Sequence, residues 1–314
     1  MGALSQVAQA RPTPSEKAAA RSAFWGLFAS NYLALLCIDS LTEPQSCLET
    51  RIKQATDHAS AVRKAVGAGE LAFTPSLEAA KNSLQSGDLL TVESFLVELE
   101  SRLIEQFAST AAPAITPSLS IGRDKYAEYC QACHGDLRGA PGALEEKLKQ
   151  KPQALNASWR KESQTPLGIY ALLIHGVEGS EMLPMVETFD ADELWSIAFF
   201  VASIPTAGRP GVITEEISTW FDEHTDEFSL IMLAQSSDDA LISRLHGLGR
   251  NCGTCLTELS YLRRDWLSRA NRLGDYAKDE RQAKEARGLG ILITLIALTS
   301  IGFGFVLRRR ARLK

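Results

Sequence analysis

Cys130, Cys133 and His134, in the run Cys130-Gln131-Ala132-Cys133-His134-Gly135, are the residues of this chain whose types and spacing speak most directly of chemistry. Two thiols three residues apart on one helical turn reach both vinyl groups of a haem, and the side chain that follows aims its imidazole at the iron. The competing use of the same spacing is a disulfide, or half of a zinc site, with a chance histidine. A haem iron that handles electrons takes a second axial ligand, and methionine sulfur is the ligand that raises the potential. Met182 offers it in Gly176-Val177-Glu178-Gly179-Ser180-Glu181-Met182-Leu183-Pro184-Met185, just before a predicted helix, and Met185 is its competitor.

The elements that must position these groups fit a known pattern. Residues from about Ser120 to Ile204 resemble a single-haem, class I type cytochrome c domain. Gly122, Tyr126, Cys130, Cys133 and His134 match the family's first helix and haem motif, and Gly179-x-x-Met182 with an aromatic final helix matches the rest. The resemblance implies an all-α fold around one covalently attached haem c, with His134 as proximal and Met182 as distal ligand. It also implies that the carbonyl of Pro141 accepts the proton on the far nitrogen of His134, fixing the ring and tuning its basicity. The sequence departs from the family where Leu183 separates Met182 from Pro184; Met185 is then either the ligand or packed core. Trp159 and Arg160 suit a haem propionate, because an indole N–H and a guanidinium both donate to carboxylates; a surface position is the other reading.

The rest of the 314 residues reads as helix. Ordinary composition and a net charge of −5 suggest neither disorder nor nucleic-acid binding. The expected organisation is all-α: residues 1–14 a truncated signal or disordered, 15–112 an N-terminal helical bundle, 118–206 the class I cytochrome c domain, 212–287 a helical region and stalk, 288–307 one C-terminal transmembrane helix, and 308–314 a cytoplasmic basic tail. Gly288 to Leu307 carries no charge over about 20 residues, the length of a membrane-spanning helix. Arg308, Arg309, Arg310, Arg312 and Lys314 follow it, which puts the tail in the cytoplasm and the haem on the periplasmic or other extracytoplasmic face. Val7-Ala8-Gln9-Ala10 looks like the end of a signal peptide, with maturation near Arg11; an uncleaved signal anchor over Ala23 to Ile38 is the rival.

Within 15–112, Leu48, Ile52, Ala55, Ala59, Val62 and Val66 make one apolar stripe, Thr74-Pro75 opens a helix, and Asp88 caps another. His58 lies off the stripe and reads as solvated. Ala111 to Ser118, with two prolines, reads as a semi-rigid linker. His175, at a predicted helix end, reads as a dipole-compensating histidine, with a role as sixth ligand the alternative. Asp190 and Glu193 fit a capping box, and Gly122 supplies the small residue at which the family's first and last helices cross. Cys252 and Cys255 repeat the Cys-x-x-Cys spacing, but Leu256 stands where a haem ligand would; a local disulfide or thiol pair is expected, with a redox-active dithiol or a degenerate haem site as the alternatives. Cys37 and Cys47 are placed to bridge two adjacent helices.

These features point to a membrane-anchored carrier of single electrons rather than an enzyme. If no methionine binds, the alternative is a ligand-binding or peroxidase-like haem protein with an open sixth site; a third class is the haem subunit of a membrane complex. A wider resemblance, resting on layout over about Ala20 to Ile204, is to the extracytoplasmic cytochrome c half of bacterial iron permease fusion proteins. It implies redox partners such as an iron permease or a respiratory oxidase. This chain has neither the Arg-Glu-x-x-Glu motif nor the many spans of a permease, so transport by it alone is excluded.

Overall fold

Helix α1 (Pro14–Ile38) is almost without polar side chains from Ala23 to Cys37, and a helix that is apolar all round has to be covered on every side. α2 (Pro44–Val66), α4 (Leu89–Gln106) and α7 (Pro166–His175) cover it. The structure is a computed structural model that describes residues 14–38, 44–66, 71–106, 111–136, 140–152, 155, 164–204, 211–253 and 255–267. Among these every regular element is helical, in keeping with the all-α expectation. No helix among them is long and apolar enough to cross a membrane. Ala23 to Ile38, weighed as a signal anchor, is a buried core helix, and 288–307 lies outside the described residues. Ser30 and Asn31, which interrupt its apolar run, are buried, and Asn31 Nδ2 donates to the Leu96 carbonyl of α4 at 3.2 Å.

The stripe on α2 buries Leu48, Ile52, Ala55 and Val62 against α1. Each such side chain taken fully out of water contributes roughly 1.5–3 kcal/mol, less for alanine. α3 (Thr74–Ser86) starts with proline in its first turn and stops at Gly87, whose φ of 75° is open to glycine at no steric cost. Thr91 N donates to Asp88 Oδ1 at 3.2 Å, the cap at the start of α4.

The chain then passes through Ala111, Pro113 and Pro117, all buried, with Gln235 Nε2 donating to the Ala111 carbonyl at 3.3 Å. α5 (Leu119–Lys125) crosses α8 (Ala191–Ala202) at Gly122. Asp190 and Glu193 close a capping box at the start of α8. α7 fits between α8 and α1: Tyr170 stacks on Trp195 with ring centres 4.0 Å apart, and Trp25 meets Tyr170 edge-on at 5.3 Å.

Four further helices, α9 (Glu215–Glu223), α10 (Leu230–Gln235), α11 (Asp238–Gly247) and α12 (Leu256–Ser260), bring Phe221 onto Tyr261 in a stack of 4.7 Å. Buried Arg263 holds Asp238 at 2.7 Å, and Arg250 reaches Glu216 and Glu258. Cys252 and Cys255 form a disulfide here, and Cys37 and Cys47 form a second between the ends of α1 and α2.

Candidate functional site

α5 runs on through one wide turn of π-helix, Tyr126–Cys130, into the short α6 (Gln131–His134). Single π turns are frequent where a helix must re-aim side chains at a functional site. The buried Tyr126 hydroxyl donates to the Gly135 carbonyl at 2.9 Å, tying the end of the motif back to its start. The following segment folds over the motif, with Leu144 N donating to the Ala132 carbonyl at 2.8 Å and Asp136 N to the Ala140 carbonyl at 3.1 Å. Gly142 makes this possible, since a Cβ there would lie 2.5 Å from the Ala132 and Cys133 carbonyl oxygens. Pro141 belongs to this returned segment and is exposed.

The second half of the site hangs from α7. Gly176, with φ of 76°, ends that helix, and Gly179, with φ of 83°, turns the chain again. Val177 N donates to the Met182 carbonyl at 2.9 Å and Met182 N to Ser180 Oγ at 3.1 Å, closing the loop on itself. Met185 N donates to the Leu173 carbonyl at 2.8 Å, laying the next stretch along α7. Lys149 N donates to Glu181 Oε1 at 3.1 Å, which links this loop to the segment after the Cys-x-x-Cys-His motif.

Between the two halves lies a cleft of about 360 Å³, within the usual range for cofactor sites. Cys130, Cys133, His134, Met182 and Met185 all face it. Leu172, Leu173 and Val177 give it an apolar wall. Trp159 and Arg160 lie outside the described residues. His175 does not line the cleft; it meets His58 and Glu178 instead.

The opposite wall was not foreseen from the sequence. Leu33, Leu36 and Cys37 of α1 and Cys47 and Arg51 of α2 line the same cleft, so the N-terminal helices complete it. Burial holds the Arg51 guanidinium below its ordinary range, with nearby Glu178 pulling the other way.

These residues fit a covalently held haem. Four of the six cysteines are joined in disulfides, while Cys130 and Cys133 are free thiols facing the cleft. Burial, with Cys133 beside it, pushes the Cys130 thiol up to about 11, so it is protonated at neutral pH. The cleft also holds one imidazole and two thioethers, donors suited to haem iron, beside the oxygens of Tyr129, Ser180 and Glu181.

Residues 117–201 match the family described as cytochrome C oxidase, cbb3-type, subunit III. No curated protein and no solved structure matches the chain.

Proposed function

Residues 117–201 are a single-haem cytochrome c domain with covalently bound haem c, and from that premise we propose a membrane-anchored electron carrier whose iron His134 and Met182 would hold. The observation that carries this reading is the meeting of two free thiols, His134 and Met182 in one apolar-walled cleft. Bound haem c supplies one-electron redox chemistry at its iron. The chain's own residues do the rest. Cys130 and Cys133 would tether the haem, His134 and Met182 would hold its iron against oxygen or peroxide, and the apolar walls would keep water out. Pro141 is the expected carbonyl partner of the His134 ring. Met185, whose backbone joins α7 and the turn at Thr188 and Phe189, is assigned to packing.

The address we propose is the extracytoplasmic face of the cytoplasmic membrane, with 288–307 as the single span. The apolar run, the basic residues behind it and two disulfides all support an exported, anchored protein. A respiratory oxidase is the favoured partner, because the matched family is itself described as an oxidase subunit. A neighbouring iron permease is the second reading, and it rests on the layout of the chain.

The test is the absorption spectrum of the purified protein, oxidised and reduced, for wild type and Met182→Ala. The expected result is a low-spin c-type spectrum with a far-red methionine-to-iron band that the variant loses. A high-spin oxidised form, or no such band in wild type, would replace this reading with the ligand-binding or peroxidase one.

A further inference from the structure

Outside the cleft, His58 of α2, His175 at the end of α7 and Glu178 in the turn that follows converge from two separate parts of the chain. The two imidazole rings meet edge to face, with centroids 4.8 Å apart and an interplanar angle of 89°. His58 Nε2 lies 3.1 Å and His175 Nε2 3.5 Å from the same oxygen, Glu178 Oε1. All three donor atoms fall within 4.8 Å of one another.

We propose that His58, His175 and Glu178 bind one divalent cation of the first transition row, at a site separate from the haem iron. Donor atoms that share a cation at about 2.0–2.1 Å stand roughly 3.3 Å apart around a tetrahedron and roughly 2.9 Å apart around an octahedron. The two imidazole–carboxylate edges, 3.1 and 3.5 Å, lie close to that spacing. Two imidazoles and a carboxylate, with further coordination positions open, suit iron(II) or zinc rather than calcium or magnesium, which prefer oxygen alone.

The site is built rather than incidental. The His58 ring lies against the backbone of α1, where a Cβ on Gly26 would come 2.5 Å from its Cε1; only glycine leaves room for the ring. Both histidine side chains are 17% exposed, whereas Glu178 is 47% exposed and gives a path from solvent. His175 Nε2 is buried and stands 3.5 Å from Glu178 Oε1, at the outer limit of a hydrogen bond. A hydrogen-bonded pair satisfies His58 and Glu178 and leaves this nitrogen weakly paired; a cation engages all three groups. Arg51 is the competing cation near Glu178 and limits the affinity. The site goes beyond the electron-carrier reading and does not depend on it.

The experiment uses the full-length haem-loaded protein without an affinity tag. Zinc, and ferrous iron under anaerobic conditions, are titrated by calorimetry, and bound zinc is counted by elemental analysis after desalting. Wild type should take up one equivalent of zinc. His58→Ala and Glu178→Gln should each weaken binding by about tenfold or more, with the haem spectrum unchanged. Glu178→Gln is isosteric at an exposed position, so its result stands even if His58→Ala folds poorly. The proposal is overturned if wild type binds no zinc, or if Glu178→Gln binds as tightly as wild type. It is equally overturned if the equivalent vanishes only when Cys252 and Cys255 are replaced, which would put the ion beside His246.

Discussion

Gly122 of α5 and Ser196 of α8 approach backbone to backbone: a Cβ on Gly122 would collide with the Ser196 carbonyl and lie 2.7 Å from the Phe200 Cβ. The Ser196 hydroxyl adds to the junction by accepting from Ser118 N at 3.0 Å. Gly122→Ala should therefore lower stability by about 2 kcal/mol, measured by urea unfolding. Alanine gains about 1 kcal/mol of helix propensity, so a net loss means that overpacking outweighs it. A more stable variant would show that the two helices separate at little cost.

That crossing was legible through the family resemblance that marked Gly122, and the Asp190–Glu193 capping box, the Gly176 stop and the pairing of Cys252 with Cys255 were legible in the residues themselves. The last three are local signals in which one residue type answers one local demand. The cleft wall made by Leu33, Leu36 and Arg51 was not legible. An apolar stripe tells that a face is buried but not which element buries it, and α1, apolar all round, gave no direction at all. His58 was misread as solvated for the same reason. It lies off its helix's stripe, and the room for its ring is created by Gly26 on another helix.

The Cys37–Cys47 disulfide joins the ends of α1 and α2 with both residues on the cleft. Replacing both cysteines by serine should cost about 3 kcal/mol, the chain-entropy value for a short loop. Thermal unfolding of the double variant, beside wild type with and without reductant, checks this. Equal stability in all three would show that packing alone fixes the corner.

Arg51 brings a positive charge to the haem cleft. A cation near the iron favours the reduced state, which carries one positive charge less. Arg51→Gln should lower the midpoint potential by on the order of 59 mV, one tenfold step for a single electron. Spectroelectrochemical titration of both proteins measures it; an unchanged potential would mean that the guanidinium charge is screened from the iron.

Burial pushes the Glu100 carboxyl of α4 up to about 7. Its folded value then lies above its unfolded one, so the folded protein holds the proton more tightly. Stability from this group is fully present below about pH 4.3 and is lost as pH rises towards 7. Glu100→Gln should flatten that part of the stability curve, by an amount of order 1 kcal/mol. Urea unfolding at pH 5 and pH 8 tests it, and an unchanged slope would rule out Glu100 as the source.

Deleting 288–314 should release the haem-loaded protein from the membrane fraction into the soluble periplasm. Fractionation of cells expressing both lengths decides this, and membrane retention of the shortened form would point to another anchor.

The contact between α1 and α7 bears on how such a protein can evolve. Gly168 lies so close to the Tyr32 ring that a Cβ would come 2.7 Å from its Cγ, and Trp25 covers Tyr170 on the same face. The haem-binding stretch is therefore not a cassette that recombination can move at will. Transplanted without α1 it would carry a bare aromatic surface and half a cleft, so the N-terminal helices and the haem motif are expected to be inherited together.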